Sequence, residues 1–64
     1  MKNRIKDIRL EEGLTQDELS KASGVSRTIL SGLETGTVQS ITTDTMLSIA
    51  KALSREVSDI FLFK

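Results

Sequence analysis

Three glycines and the lack of any proline set the frame within which this chain can fold. Gly13, Gly24 and Gly36 each stand where a run of apolar residues spaced three and four apart breaks off. That spacing marks one buried face of an α-helix. A glycine just beyond the last helical residue closes the helix in a left-handed conformation that side chains with a Cβ resist. Each stop is followed by a new start. Gly13 leads through Leu14 to Thr15-Gln16-Asp17-Glu18, a capping box in which the Thr15 hydroxyl accepts from the Glu18 N–H and Glu18 reaches back to that of Thr15. Gly24 leads through Val25 to Ser26, a second N-cap. After Gly36 a polar loop through Thr37, Gln39 and Ser40 reaches Thr42, which caps a further helix with Asp44 in its first turn.

These signals predict an all-α chain of five helices. The first runs from near Asn3 to Gly13, buries Ile5 and Ile8, and leaves Leu14 packed underneath. The second is short, from Thr15 to Gly24, and buries Leu19 and Ala22. The third spans about Arg27 to Thr35. The fourth presents Met46, Leu47, Ile49, Ala50 and Leu53 as its apolar face, and a short fifth runs around Val57 to Leu62. One compact domain over residues 1–64 is expected, because a chain this small buries only about 60% of the surface it exposes unfolded and cannot be divided further.

Composition removes several functions. There is no cysteine and no histidine, hence no disulfide, no thiolate metal site and no side chain that shuttles protons near neutral pH. No glycine-rich phosphate loop is present, and the acid pairs Glu11-Glu12 and Asp17-Glu18 fall at helix ends, where capping and solvation account for them. No enzyme activity, cofactor, metal or small-molecule ligand is expected. No apolar run is long enough to span a bilayer and no signal-peptide core follows the charged N-terminus, so a cytoplasmic protein without membrane contact is expected. The net charge is zero, which by itself does not suggest nucleic acid. Its distribution is uneven. Lys2, Arg4, Lys6 and Arg9 against Asp7 give the first ten residues a surplus of three positive charges, balanced by an acidic remainder. The basic stretch fits either a solvated first helix or a phosphate-contacting one.

Two short helices joined by a three-to-four-residue turn containing glycine, here residues 15–35, are the local geometry of a helix-turn-helix, whose second helix enters the DNA major groove. An αα-corner built for packing alone has the same spacing. Residue types add more. Ile5, Ile8-Arg9, Gly13-Leu14-Thr15-Gln16, Glu18-Leu19, Ser23-Gly24-Val25-Ser26-Arg27, Leu30-Ser31, Leu33-Glu34, Gly36, Ile49-Ala50-Lys51-Ala52-Leu53 and Asp59-Ile60-Phe61 together resemble the Cro/phage-repressor helix-turn-helix family, also called the XRE family, over nearly the whole chain.

The resemblance implies a five-helix repressor-like domain that binds double-stranded DNA. The third helix would read bases and the start of the second would clamp the backbone. By family position Gln16 is a phosphate contact, aided by N–H groups at its helix N-terminus. Ser26, Thr35 and Arg9 are further phosphate candidates. With Ser26, Leu30 and Leu33 turned inward, the outward stripe of the third helix is Arg27, Thr28, Ser31, Gly32 and Thr35. Arg27 can bond guanine O6 and N7, Thr28 and Ser31 a base edge or a phosphate, and Thr28 and Ile29 a thymine methyl. Gly32 departs from the family, which often carries a long polar side chain there. The neutral loop after Gly36 departs as well, because basic residues commonly grip phosphates in that place. The resemblance also implies an ion pair between Arg9 and Glu34 that sets the angle of the recognition helix.

Ile60-Phe61-Leu62-Phe63 carries more apolar surface than one short helix turns inward. Phe61 is core by family position, and Leu62 and Phe63 are candidates for a homodimer interface. A C-terminal strand or helix pairing across a twofold axis would match a palindromic operator with half-sites about 34 Å apart. The expected function is a sequence-specific transcriptional regulator acting as a repressor. The alternative is a protein-interaction module on the same fold, antitoxin-like or anti-repressor, which zero net charge would suit.

Overall fold

In the computed structural model, which describes residues 2–62, helices form where the caps place them. The order is β1 (Lys2–Asn3), α1 (Ile5–Glu11), α2 (Gln16–Ser23), α3 (Arg27–Thr35), α4 (Thr43–Leu53), α5 (Val57–Ile60) and β2 (Phe61–Leu62). The Thr15 hydroxyl accepts from the Glu18 N–H at 3.1 Å and the Glu18 carboxylate from the Thr15 N–H at 2.9 Å. Ser26 and Thr42 accept from the N–H groups of Ile29 and Thr45, each at 3.2 Å. Gly24 and Gly36 close α2 and α3 at φ +73° and +88°. At the end of α4 no glycine is available, and Ser54 takes the left-handed conformation instead.

The core is one cluster fed by every helix. Ile5, Ile8, Leu19, Leu30, Leu33, Ile49, Leu53, Ile60 and Phe61 are each at most 2% exposed. Leu14, Val38, Ile41, Met46, Ala52 and Val57 pack around them. α2 lies across both α3 and α4, so the helix-turn-helix is braced from behind. Among the described residues, no buried side-chain nitrogen or oxygen lacks a hydrogen-bond partner.

Both ends differ from the helical reading. Lys2 and Asn3 are extended and pair antiparallel with β2, Lys2 opposite Leu62 and Asn3 opposite Phe61, and the Arg4 N–H donates to the Ile60 carbonyl at 2.7 Å. The first helix therefore begins at Ile5, not near Asn3. The fifth ends at Ile60, where Phe61 becomes extended and turns its ring into the core. The C-terminal strand thus pairs within its own chain.

Two residues expected in the core lie outside it. Ala22 is exposed and Leu47 is 44% exposed. At 3.6 residues per turn each sits roughly 100–110° from the centre of its helix's buried line. That line is Leu19, Ser20 and Ser23 in α2, and Met46, Ile49, Ala50 and Leu53 in α4.

Candidate nucleic-acid interface

Residues 24–26 join α2 to α3, and two serines fix the angle between these helices. The Ser20 hydroxyl donates to the Val25 carbonyl at 2.7 Å; Ser23 donates to the Leu19 carbonyl at 2.7 Å and accepts from the Val25 N–H at 3.2 Å. With Val25 buried, the turn has little freedom to open. Asn3 holds the far end of α3, its Nδ2 donating to the Leu33 carbonyl at 2.9 Å. The sequence reading assigned no role to Ser20 or Asn3. Ser20 had a faint signal, a small polar residue on the inner line of α2. Asn3 had none, because its partner is 30 residues away.

Behind this unit lies a buried charge network. Arg9 donates through Nε to Glu34 Oε2 at 2.9 Å, through Nη2 to Glu34 Oε1 at 3.0 Å, and through Nη1 to the Leu14 carbonyl at 2.8 Å. The two side chains are 10% and 4% exposed. The bidentate fork ties α1 to α3. Hydrogen bonding by Glu34 raises the Arg9 pKa above its ordinary value, outweighing the burial that opposes it. Gln16 joins the network, donating through Nε2 to Glu34 Oε1 at 3.2 Å. Glu34, an acid on the helix expected to meet DNA, is therefore enclosed, with its side chain 4% exposed. Three of the five guanidinium N–H donors of Arg9 are thus engaged inside the protein, where they hold α3.

On the same face of α3, beside the Gln16–Glu34 bond, an open depression of about 330 Å³ is lined by Gln16, Arg27, Thr28 and Ser31. Four residues singled out for DNA contact, one on α2 and three on α3, thus meet on one surface. Arg27 extends into solvent with its guanidinium 3.2 Å from Asp17 Oδ1 on the first turn of α2, both side chains 63% exposed. Ser26 is exposed rather than turned inward, its hydroxyl occupied as the cap of α3. Thr35, also exposed, donates to the Ser31 carbonyl at 3.0 Å and meets the Thr37 hydroxyl at 3.2 Å.

Gly32 is not on this surface. It is buried, and a Cβ there would collide with the Val38 side chain, coming 3.1 Å from its Cβ. The loop after Gly36 folds back so closely that the Val38 N–H donates to the Gly32 carbonyl at 2.9 Å. The reading of Gly32 as a base contact is corrected accordingly. The glycine admits Val38 to the core edge, and the outward stripe is Arg27, Thr28, Ser31 and Thr35.

Two of the four cations in the first ten residues are paired with acids. Arg9 is internal, and Arg4 lies 3.8 Å from Glu11, which with Glu12 also approaches Arg55. Of the two residues expected at a dimer interface, Phe63 and the side chain of Leu62 lie outside the described residues.

A helix-turn-helix family model matches residues 5–60, which takes in α1 to α5. The chain is also similar to YgzD, an uncharacterised helix-turn-helix-type transcriptional regulator of Bacillus subtilis (strain 168). The two are 36% identical over 62 residues, covering 95% of this chain and 91% of the relative.

Proposed function

This chain belongs to the Cro/phage-repressor (XRE) helix-turn-helix family of DNA-binding transcriptional regulators, and on that premise we propose that it binds double-stranded DNA sequence-specifically with α3 in the major groove. The observation that carries the reading is the depression lined by Gln16, Arg27, Thr28 and Ser31. It puts donors of two kinds side by side. Arg27, near the N-terminus of α3, has the fork that suits guanine O6 and N7, with Thr28 and Ser31 beside it for base edges or phosphate. Gln16, on the first turn of α2, is placed for the backbone. Its bond to Glu34 fixes its aim in advance. Ser26 and Thr35 flank the same surface as phosphate contacts.

The protein acts in the cytoplasm as a repressor, occupying an operator that overlaps a promoter. As a homodimer it places two α3 helices in successive major grooves of a palindromic site, with Leu62 and Phe63 in the subunit contact. Three devices, the buried network, the serine-fixed turn and the Asn3 tether, support a rigid α3, and rigidity is what discrimination between bases requires.

The test is selection of random duplex DNA by the purified protein near physiological salt, with its mass in solution measured alongside. An enriched inverted repeat bound by a dimer is the expected result. No enriched motif, with only salt-sensitive background binding, would refute sequence-specific recognition. A selected half-site bound by a monomer would refute the dimer alone.

A further inference from the structure

The Arg27–Asp17 contact is not needed for folding. Both side chains are 63% exposed and the 3.2 Å contact is a single hydrogen bond. Such an exposed pair contributes little to stability in water, and α2 is capped independently by Thr15 and Glu18. The carboxylate nevertheless lies beside the depression, where DNA phosphates would approach, and there an acid opposes binding. The geometry points to Asp17 as a specificity-determining residue that positions Arg27 for base readout and penalises DNA lacking the matching base. This inference rests on the DNA-binding reading given above.

The physical case has two parts. Arg27 is a long side chain at the start of α3, and unrestrained it could reach phosphate as readily as a base. Asp17 Oδ1 takes one Nη1–H of a guanidinium that has five N–H donors. The remaining donors still include a pair that can face guanine. When water is excluded from the closing interface, the weak tether strengthens, because the effective dielectric falls.

The second part is repulsion. If Arg27 left Asp17 for a phosphate, the carboxylate would face the DNA backbone without a partner. A site offering guanine lets Arg27 satisfy base and carboxylate together; any other site leaves one of them unmatched. Selectivity then comes from a penalty on the wrong sequence as well as from a bond to the right one. Every arginine among the described residues has an acidic neighbour within 4 Å, and of these pairs this is the one whose arginine lines the depression.

The experiment uses the full chain and the duplex recovered by selection. Wild type, Asp17→Ala, Asp17→Asn and Arg27→Ala are compared by fluorescence anisotropy on that duplex, on single-base variants at the position that Arg27→Ala desensitises, and on random duplex across a salt series. One good bidentate base contact discriminates roughly 5- to 150-fold. Asp17→Ala is expected to bind random duplex more tightly, with a log–log salt slope steeper by about one phosphate contact, while its preference at the Arg27 position falls at least several-fold. Asp17→Asn keeps an acceptor oxygen without the charge, and is expected to retain more of that preference than Asp17→Ala. Equal tightening on selected and random duplex, with base preference unchanged, would overturn the inference by reducing Asp17 to a repulsive charge. Failure of the wild type to select any motif would refute the DNA-binding reading itself, and this inference with it.

Discussion

Replacing Glu34 with alanine tests how the recognition helix is held. In the intact protein the Arg9 guanidinium makes two bonds to Glu34, at 2.9 and 3.0 Å, and one to the Leu14 carbonyl at 2.8 Å, inside a site that leaves its side chain 10% exposed. Glu34→Ala removes both carboxylate oxygens, leaves a buried cation with one acceptor, and takes away the partner of Gln16. Breaking a buried pair by deleting one member costs about 3–5 kcal/mol, chiefly through the stranded charge. The whole stability of a 64-residue domain is of order 3–10 kcal/mol. The variant should therefore lose between a third and all of its stability. Since 1 kcal/mol shifts the midpoint of a domain this size by roughly 4–8 °C, thermal unfolding followed by circular dichroism should show a fall of at least about 12 °C. Arg9→Met combined with Glu34→Leu removes the charge along with its partner. It leaves the Leu14 carbonyl without its donor, a loss of about 1–3 kcal/mol, and the half-buried Gln16 amide without its acceptor as Glu34→Ala does, but strands no charge, so the double variant should be more stable than Glu34→Ala. A single-variant shift below about 4 °C would show that water reaches the pair and that α3 is not held this way.

Gly32→Ala pits helix propensity, which favours alanine by about 1 kcal/mol, against collision with Val38. Overpacking costs about 1–3 kcal/mol, so urea titration should find the substitution destabilising in the natural protein and stabilising in a Val38→Gly background; the same sign in both would remove Val38 as the reason for the glycine. Arg27→Ala should weaken binding to the selected duplex roughly 5- to 150-fold and relax preference at one base position, read by anisotropy on single-base variants. A uniform loss would make Arg27 a phosphate contact. Gln16→Ala should lower affinity for every duplex alike, and a change in base preference would assign it to readout instead.

Much of this architecture was legible because it is written locally. A capping box, two further hydroxyl caps and glycines beyond the helix ends operate over two to four residues, and they placed α2, α3 and α4 almost to the residue. Three-and-four spacing found Ile5, Ile8, Leu19, Leu30, Leu33, Ile49 and Leu53. What failed was non-local. Lys2 and Asn3 are strand only because Phe61 and Leu62 pair with them across nearly the whole chain, and two-residue strands have no periodicity to detect. Gly32 stood on the outward stripe of a helical wheel, yet the loop from Gly36 folded over it, and no wheel records what a later loop covers. Arg9 was predicted both to pair with Glu34 and to touch phosphate. The pairing, which came from the family resemblance, is present, and the Leu14 carbonyl and Gln16 that complete its hydrogen bonds were not foreseen.

The β1–β2 pairing also orders events in folding. α2 and α3 close over short sequence distances and can form early, whereas the contact between residues 2–3 and 61–62 closes nearly the entire chain into one loop, the most entropically demanding step the topology contains. Ile60 and Phe61 enter the core with that closure. During synthesis residues 2–3 must therefore wait until residues 61–62 have been made. A growing polypeptide that already holds the whole helix-turn-helix still lacks the Ile60 and Phe61 part of the core. Sealing of the core is thus a late event, set by the arrival of a two-residue strand.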